Sequence, residues 1–321
     1  MVPSSPSTPP PLLGVTGTAV EDTIVAPDGS VVEDMGGIYY AVLTLRALLP
    51  DKVRIAPVLA VGADAYGRVR RDMEGLPGVE AGALLPVEAV NNKVRLEYRD
   101  AEEREETLRG GIGPLAWGDL EPWVDRLDAW LWNFVAGNET DRETFGRVKR
   151  AFGGPIHLDV HSLCLEHDSD GPRRPRRPER WEAWVEGVRW VQCNESEAGL
   201  LWRGRDDPLP ADEERRFAGR CHELGAEGVL VSRGSAGACW HPADGEPLEQ
   251  DAVGTGEAVD PTGCGDVLGA AWIALRAGRG LEAGEALAGA VRAAGAAAGI
   301  RGTSSLRQAL ERAAVLTGEP A

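Results

Sequence analysis

The chain has 321 residues, 43% of them hydrophobic, with 51 acidic side chains against 34 basic ones and a formal net charge of −17. This length and apolar content suit a globular protein of one large domain or two small ones. The acidic excess argues against a nucleic-acid-binding face and against docking to an anionic membrane surface. The five cysteines, Cys164, Cys193, Cys221, Cys239 and Cys264, are scattered and form no Cys-x-x-Cys. That usage argues against a disulfide framework or a zinc site and suits a reducing cytoplasm.

In chain order, residues 1–11 are Pro/Ser-rich, with neither a basic start nor an apolar run. They read as a disordered leader and not a signal peptide. From residue 12 onward, short apolar runs alternate with helical patterns. Strands are expected at Leu12–Thr18, Val53–Val61, Ala129–Val135, Ile156–Val160, Val188–Cys193 and Gly228–Ser232. Helices are expected at Gly37–Leu49, Tyr66–Gly75, Arg142–Phe152, Ser196–Trp202 and Asp212–Leu224. The alternation predicts an α/β fold with a mostly parallel central sheet covered on both faces.

Two segments break that rhythm. Residues 23–35 carry the turn Pro27-Asp28-Gly29, and 92–108 alternate Val94, Leu96 and Tyr98 with Arg95, Glu97 and Arg99. Both read as strands with one face in solvent, either surface hairpins or a small β lid. The Pro/Arg-rich run over 168–180 reads as a mobile surface loop, with a phosphate-binding patch as the alternative. The Ala-rich stretch Ala283–Ile300 carries Glu285 and Arg292 and is too short to span a bilayer.

The chemistry is concentrated at Asp260-Pro261-Thr262-Gly263-Cys264-Gly265-Asp266, which empties into an apolar helical run. Glycines let backbone approach a ligand closely, and the N–H groups and dipole of a helix start favour an anion. A carboxylate there, Asp266, sits where a general base for an attacking hydroxyl is needed. A bland alternative is an acidic residue that merely complements the dipole. Asn194-Glu195-Ser196-Glu197 reads two ways as well, as an ordinary capping box or as oxygen ligands for magnesium through water. Ser232-Arg233-Gly234-Ser235-Ala236-Gly237 reads as a glycine hairpin into the next strand.

Together these motifs resemble the ribokinase-like (PfkB-type) carbohydrate kinase family, over nearly the whole chain from about Leu12. The resemblance implies a three-layer α/β/α fold with a small β lid. It implies an anion hole at Gly263, Cys264 and Gly265 with Asp266 as catalytic base, Cys264 standing where a smaller residue is usual. It assigns Asn194 and Glu197 to magnesium and phosphate, and Ser232, Gly234, Gly237 and Thr262 to the nucleotide. Asp22, Gly36, Gly37 and Tyr40 are the implied acceptor residues. The family's Asn after the Gly-Gly pair falls here on Ala41, and Tyr39 and Tyr40 precede it. Gly62 and Asp64 read mainly as turn and cap residues. Asp159-Val160-His161 stands where many members have Asp-Pro-Asn, and Asn133 and Asn138 are within reach of the same cleft.

The expectation is an ATP- and Mg2+-dependent kinase acting on a hydroxyl of a sugar or sugar-like molecule, with room for a monovalent cation. A nucleoside kinase of the same family and a non-catalytic ligand sensor are the alternatives. The expected partners are the small-molecule substrate and a second copy through the lid.

Overall fold

The computed structural model describes residues 10–49, 53–99, 104–166, 172–253 and 259–315. The expected leader lies outside them apart from Pro10 and Pro11. The first half runs β1 (Leu12–Thr16), β2 (Ala19–Val25), β3 (Val31–Gly37), α1 (Ile38–Leu48), β4 (Arg54–Pro57), β5 (Leu59–Gly62), α2 (Ala63–Glu74), β6 (Leu84–Val87), β7 (Lys93–Tyr98), β8 (Arg104–Arg109), α3 (Trp117–Val124), β9 (Ala129–Asn133) and α4 (Arg142–Ala151). The second half runs β10 (Ile156–Asp159), α5 (Glu182–Val185), β11 (Trp190–Asn194), α6 (Glu195–Arg203), α7 (Ala211–Glu223), β12 (Gly228–Ser232), β13 (Ala238–Pro242), β14 (Leu248–Gln250), α8 (Cys264–Ile273), α9 (Ala283–Ala298) and α10 (Leu306–Val315).

Eight strands form the central sheet in the order β14-β13-β12-β11-β10-β9-β1-β4. The pairs from β4 across to β12 are parallel; β13 and β14 are added antiparallel at one edge. Side-chain alternation along β9 shows how the layers arise. Ala129 and Leu131 enter the core shared with α1, α8, α9 and α10, while Trp130 and Trp132 enter the core shared with α4, α6 and α7. All five residues of β9 are buried, as a parallel strand covered on both faces requires. Trp272 of α8 packs on Trp240 of β13 with ring centroids 4.2 Å apart, fixing α8 against the sheet.

The second sheet is the lid, with strand order β3-β2-β7-β8. Register places Asp22 opposite Asp34 on one side and beside Val94 on the other, with Leu108 beyond. This face packs Val20, Ile24, Val94 and Leu96 into a small core with Val135. The opposite face is charged, with Lys93 paired to Glu21 at 2.9 Å. The first pair of strands reaches beyond the expected 23–35, because β2 begins at Ala19 and β3 ends at Gly37, while β7 and β8 span 93–109 against the expected 92–108.

Two expectations change. Val53–Val61 is not one strand: β4 stops at Pro57, which has no N–H to continue a ladder, and β5 pairs with β6 in a separate sheet. The Pro/Arg-rich run is not a solvated loop at Arg173, whose side chain is 1% exposed and ion-paired to Glu106 of the lid at 2.7 Å. The guanidinium also donates to the carbonyls of Val135, Ala136 and Glu166. Proline spacing excluded regular structure there, but it did not exclude burial by carbonyl acceptors.

All five cysteines are free thiols. Among the described residues no helix is long and apolar enough to cross a membrane.

The position of α8 depends on Gly269. A Cβ there would lie 2.6 Å from Gln192 Oε1 and 3.1 Å from His157 Nε2, both on buried side chains of the sheet. Gly269→Ala is expected to destabilise the fold by roughly 1–3 kcal/mol through overpacking. Thermal denaturation checks this; an unchanged midpoint would mean that α8 is not held this closely.

Candidate active site

Parallel strands deliver functional groups at their carboxyl ends. Asn133 ends β9 beside Asp159, which ends β10; Asn194 ends β11 beside Ser232, which ends β12. Four residues selected from separate motifs therefore stand along one sheet edge.

Helix α8 starts over that edge. Its N-cap, Gly263, has φ 76° and ψ 0°, the left-handed conformation that glycine adopts at little cost, and no side chain caps the helix. A Cβ on Gly263 would lie 2.4 Å from the ring of Tyr40, so the turn rests directly on the aromatic face. The Cys264 N–H turns back to Pro261 O at 3.2 Å, and the Cys264 side chain packs partly into the core. The first-turn amides of an uncapped helix suit an anion. Asp266 lies in that first turn, with Asn133 Nδ2 donating to its Oδ1 at 2.5 Å. Thr262 is fixed through its N–H, which donates to Asp260 Oδ1 at 2.9 Å.

Gln192 joins this turn to the sheet. Its Nε2 donates both to Asp159 Oδ2 and to Gly265 O, each at 2.9 Å. Its Oε1 lies 3.1 Å from His157 Nε2. Burial, together with the negative charge of Glu197, pushes the Asp159 carboxyl up to about 8. Burial also pushes His157 down to about 4, against the hydrogen bond its Nε2–H donates to Gln192 Oε1.

The capping box expected at Asn194 forms in full. Asn194 Oδ1 accepts from Glu197 N–H and Glu197 Oε2 accepts from Asn194 N–H, both at 2.8 Å. Glu197 Oε1 also accepts from Asn194 Nδ2 at 2.9 Å and from His161 Nδ1 at 2.7 Å. Desolvation around the His161 ring opposes its charge, but the hydrogen bond and charge of Glu197 outweigh it and raise the imidazole to about 9. His161, Asn194, Glu197 and Arg173 line a common cavity.

The implied acceptor residues come together at the base of the lid. The Asp22 carboxylate on β2 lies diagonally against Gly36 on β3, where a Cβ would sit 1.6 Å from Asp22 Oδ2. Gly37 caps α1 with φ 60°. Burial, then the charges of Asp22, Asp260 and Asp266, keeps the Tyr40 phenol protonated far above its ordinary range. Tyr39 points elsewhere, with its hydroxyl on Asp72 at 2.9 Å. Ser232, Gly234 and Gly237 form the turn from β12 into β13, and Gly237 has φ 97° with Gln250 O and Ala252 N against its missing Cβ. Asp64 accepts from Asn91 N–H at 2.8 Å, a turn-fixing contact, and Asn138 donates to Ile112 O at 3.3 Å.

Several groups escaped sequence reading: Gln192, His157, Tyr98 and Glu139. Glu139 fixes the loop after β9 by accepting from the N–H groups of Val135, Ala136 and Gly137. Gln192 carried a signal, a polar residue between Val191 and Cys193 in an apolar strand. A further cluster, Glu214, Cys239 and His241, has metal-ligand character. There Glu214 Oε1 already accepts from His241 Nε2 and Arg233 Nη2, both at 2.7 Å, so the guanidinium supplies the positive charge.

Residues 166–310 match the model of the pfkB family carbohydrate kinases. No curated protein matched by sequence. Among solved structures, the chain is similar to Arabidopsis thaliana ribokinase complexed with ribose and ATP (22% identity, 95% of this chain and 99% of that one, TM-score 0.72). It is similar to a pyrophosphate-dependent ribokinase-family kinase complexed with a pyrophosphate analog and myo-inositol (19%, 94% and 99%, TM-score 0.72). It is also similar to a Burkholderia thailandensis nucleoside kinase in complex with inosine (16%, 96% and 98%, TM-score 0.68). At these identities the structural likeness establishes the fold. The match over residues 166–310 makes the C-terminal part of the chain similar to the pfkB family carbohydrate kinases.

His157 gives a test of the buried network. A histidine depressed below its unfolded value binds fewer protons when folded, so stability is lost as pH falls from about 6.5 through 4. The loss is up to about 3 kcal/mol. His157→Gln, which keeps a donor for Gln192, is expected to flatten that acid limb in denaturation curves measured between pH 7 and 4. An unchanged slope would show that His157 is not buried neutral.

Proposed function

We propose that the protein transfers the γ-phosphoryl group of ATP to a hydroxyl of a sugar or sugar-like small molecule. The observation that carries this reading is the uncapped start of α8 with Asp266 in its first turn, set beside Asn133 and under the lid. Asp266 takes the proton of the attacking hydroxyl. Asn133 orients its carboxylate. The amides of Gly263, Cys264 and Gly265 take up charge on the phosphoryl oxygens, the Cys264 N–H exchanging its long bond to Pro261 for the stronger acceptor. Asp22 accepts from hydroxyls of the acceptor, which rests between the lid strands and the Gly36-Gly37 turn.

The donor side is formed by Asn194, Glu197 and the Ser232–Gly237 turn. The charge of Glu197 adds to the cost of ionising buried Asp159, which a cation relieves. Asn194 and Glu197 fit a hydrated Mg2+ held through water, because their oxygens already accept hydrogen bonds. When bound, the ion supplies charge neutralisation between donor phosphates. Lid closure excludes water from the transfer. A lid homodimer belongs to the same proposal, supported by β3 and β8 as the outer strands of that sheet.

The test is Mg2+-dependent ADP release from ATP across sugars, polyols and nucleosides, with Asp266→Asn as control. Wild type is expected to respond to one acceptor class. The variant should keep ATP protection against thermal unfolding and lose roughly 10²- to 10⁴-fold in turnover, the worth of a general base. Near-normal turnover in Asp266→Asn would refute the base assignment.

A further inference from the structure

β3 of the lid is tied to the body through Asp34 and Met35, which accept from Thr303 and Ser304; two attachments at the other end of the sheet differ in character. The first is Glu106 of β8 with Arg173, a buried guanidinium also held by three carbonyls. Removing either partner would leave a buried charge or acceptors unmatched, so this attachment is permanent. The second includes a neutral hydrogen bond. Tyr98, at the end of β7 and on the same lid face as Val94 and Leu96, places its hydroxyl 2.7 Å from Thr262 Oγ1. Thr262 immediately precedes Gly263, the left-handed residue that starts α8, and its own N–H is committed to Asp260.

We infer that Tyr98 is a positioning residue that latches the lid to the phosphate-binding turn, so that lid closure and the geometry of the anion cradle are set together. The backbone of Thr262 is held from below by Asp260, and its side chain is held from above by the lid. With the latch closed, the turn is clamped on both sides and the Gly263–Gly265 amides have one orientation. With the latch open, the clamp is lost on the lid side alone, while Arg173 keeps the far strand attached. The strength suits a gate: a single neutral hydrogen bond is worth about fivefold in an equilibrium. This inference rests on the kinase reading of the turn, but the deciding measurement does not need turnover.

The experiment is amide hydrogen exchange on the full chain without ligand, comparing wild type with Tyr98→Phe, Thr262→Val, Thr262→Ser and the double variant Tyr98→Phe/Thr262→Val. Both Tyr98→Phe and Thr262→Val should raise exchange about fivefold in Lys93–Tyr98 and in Thr262–Gly265 together, with no further rise in the double variant. Thr262→Ser, which keeps the hydroxyl, should remain close to wild type. In turnover, Tyr98→Phe should lower kcat while leaving KM for MgATP unchanged. Exchange that rises in the lid but not in the turn, or effects that multiply in the double variant, would overturn the latch. A wild type with intact exchange coupling but no phosphoryl transfer would overturn the kinase reading instead.

Discussion

The site depends on helix α8 starting where no side chain fits. Gly263 adopts a left-handed conformation with the Tyr40 ring where its Cβ would be, and Gly269 lets the helix body close onto Gln192 and His157. The first contact places the helix start at the lid base; the second places it over the ends of β10 and β11. Only from that position can Asp266 meet Asn133, and only there do the first-turn amides face the strand ends. One turn further along α8, Trp272 packs on Trp240 of the same sheet.

Charge is the second organising constraint. Asp22, Asp260 and Asp266 surround the Tyr40 phenol, and Glu197 and Asp266 face Asp159, so carboxylates crowd together in an already acidic protein. The molecule answers with local donors. Asn133 serves Asp266, Gln192 serves Asp159, His161 and Asn194 serve Glu197, and the Thr262 amide serves Asp260. These donors are mostly neutral, so the cleft stays acidic, which suits the donor–metal complex of the proposed function. Where an arginine does intervene, at Arg173, it neutralises Glu106 and binds carbonyls without entering the acidic cluster.

Much of this was legible in the sequence, because the central strands are apolar runs and the phosphate turn is contiguous. Asp260 to Asp266, Asn194 with Glu197, and Gly36-Gly37 are short motifs whose local geometry follows from residue type. What was not legible is held by long-range pairs. Tyr98 and Thr262 are 164 residues apart, and Asn133 and Asp266 are 133 apart; no spacing rule joins them. Arg173 was misread because a Pro/Arg-rich run looks solvated until the carbonyls that bury it are known. The break at Pro57 was misread because an apolar run looks continuous even where one missing N–H diverts the chain.

The central claim is that the start of α8 receives the transferred phosphoryl group beside Asp266. A crystal structure with Mg2+ and a non-hydrolysable ATP analogue tests it most directly. The account predicts the terminal phosphate on the amides of Gly263, Cys264 and Gly265, with the Asp266 carboxylate facing the open acceptor side. A terminal phosphate bound away from that turn, with the Cys264 amide still on Pro261, would contradict it.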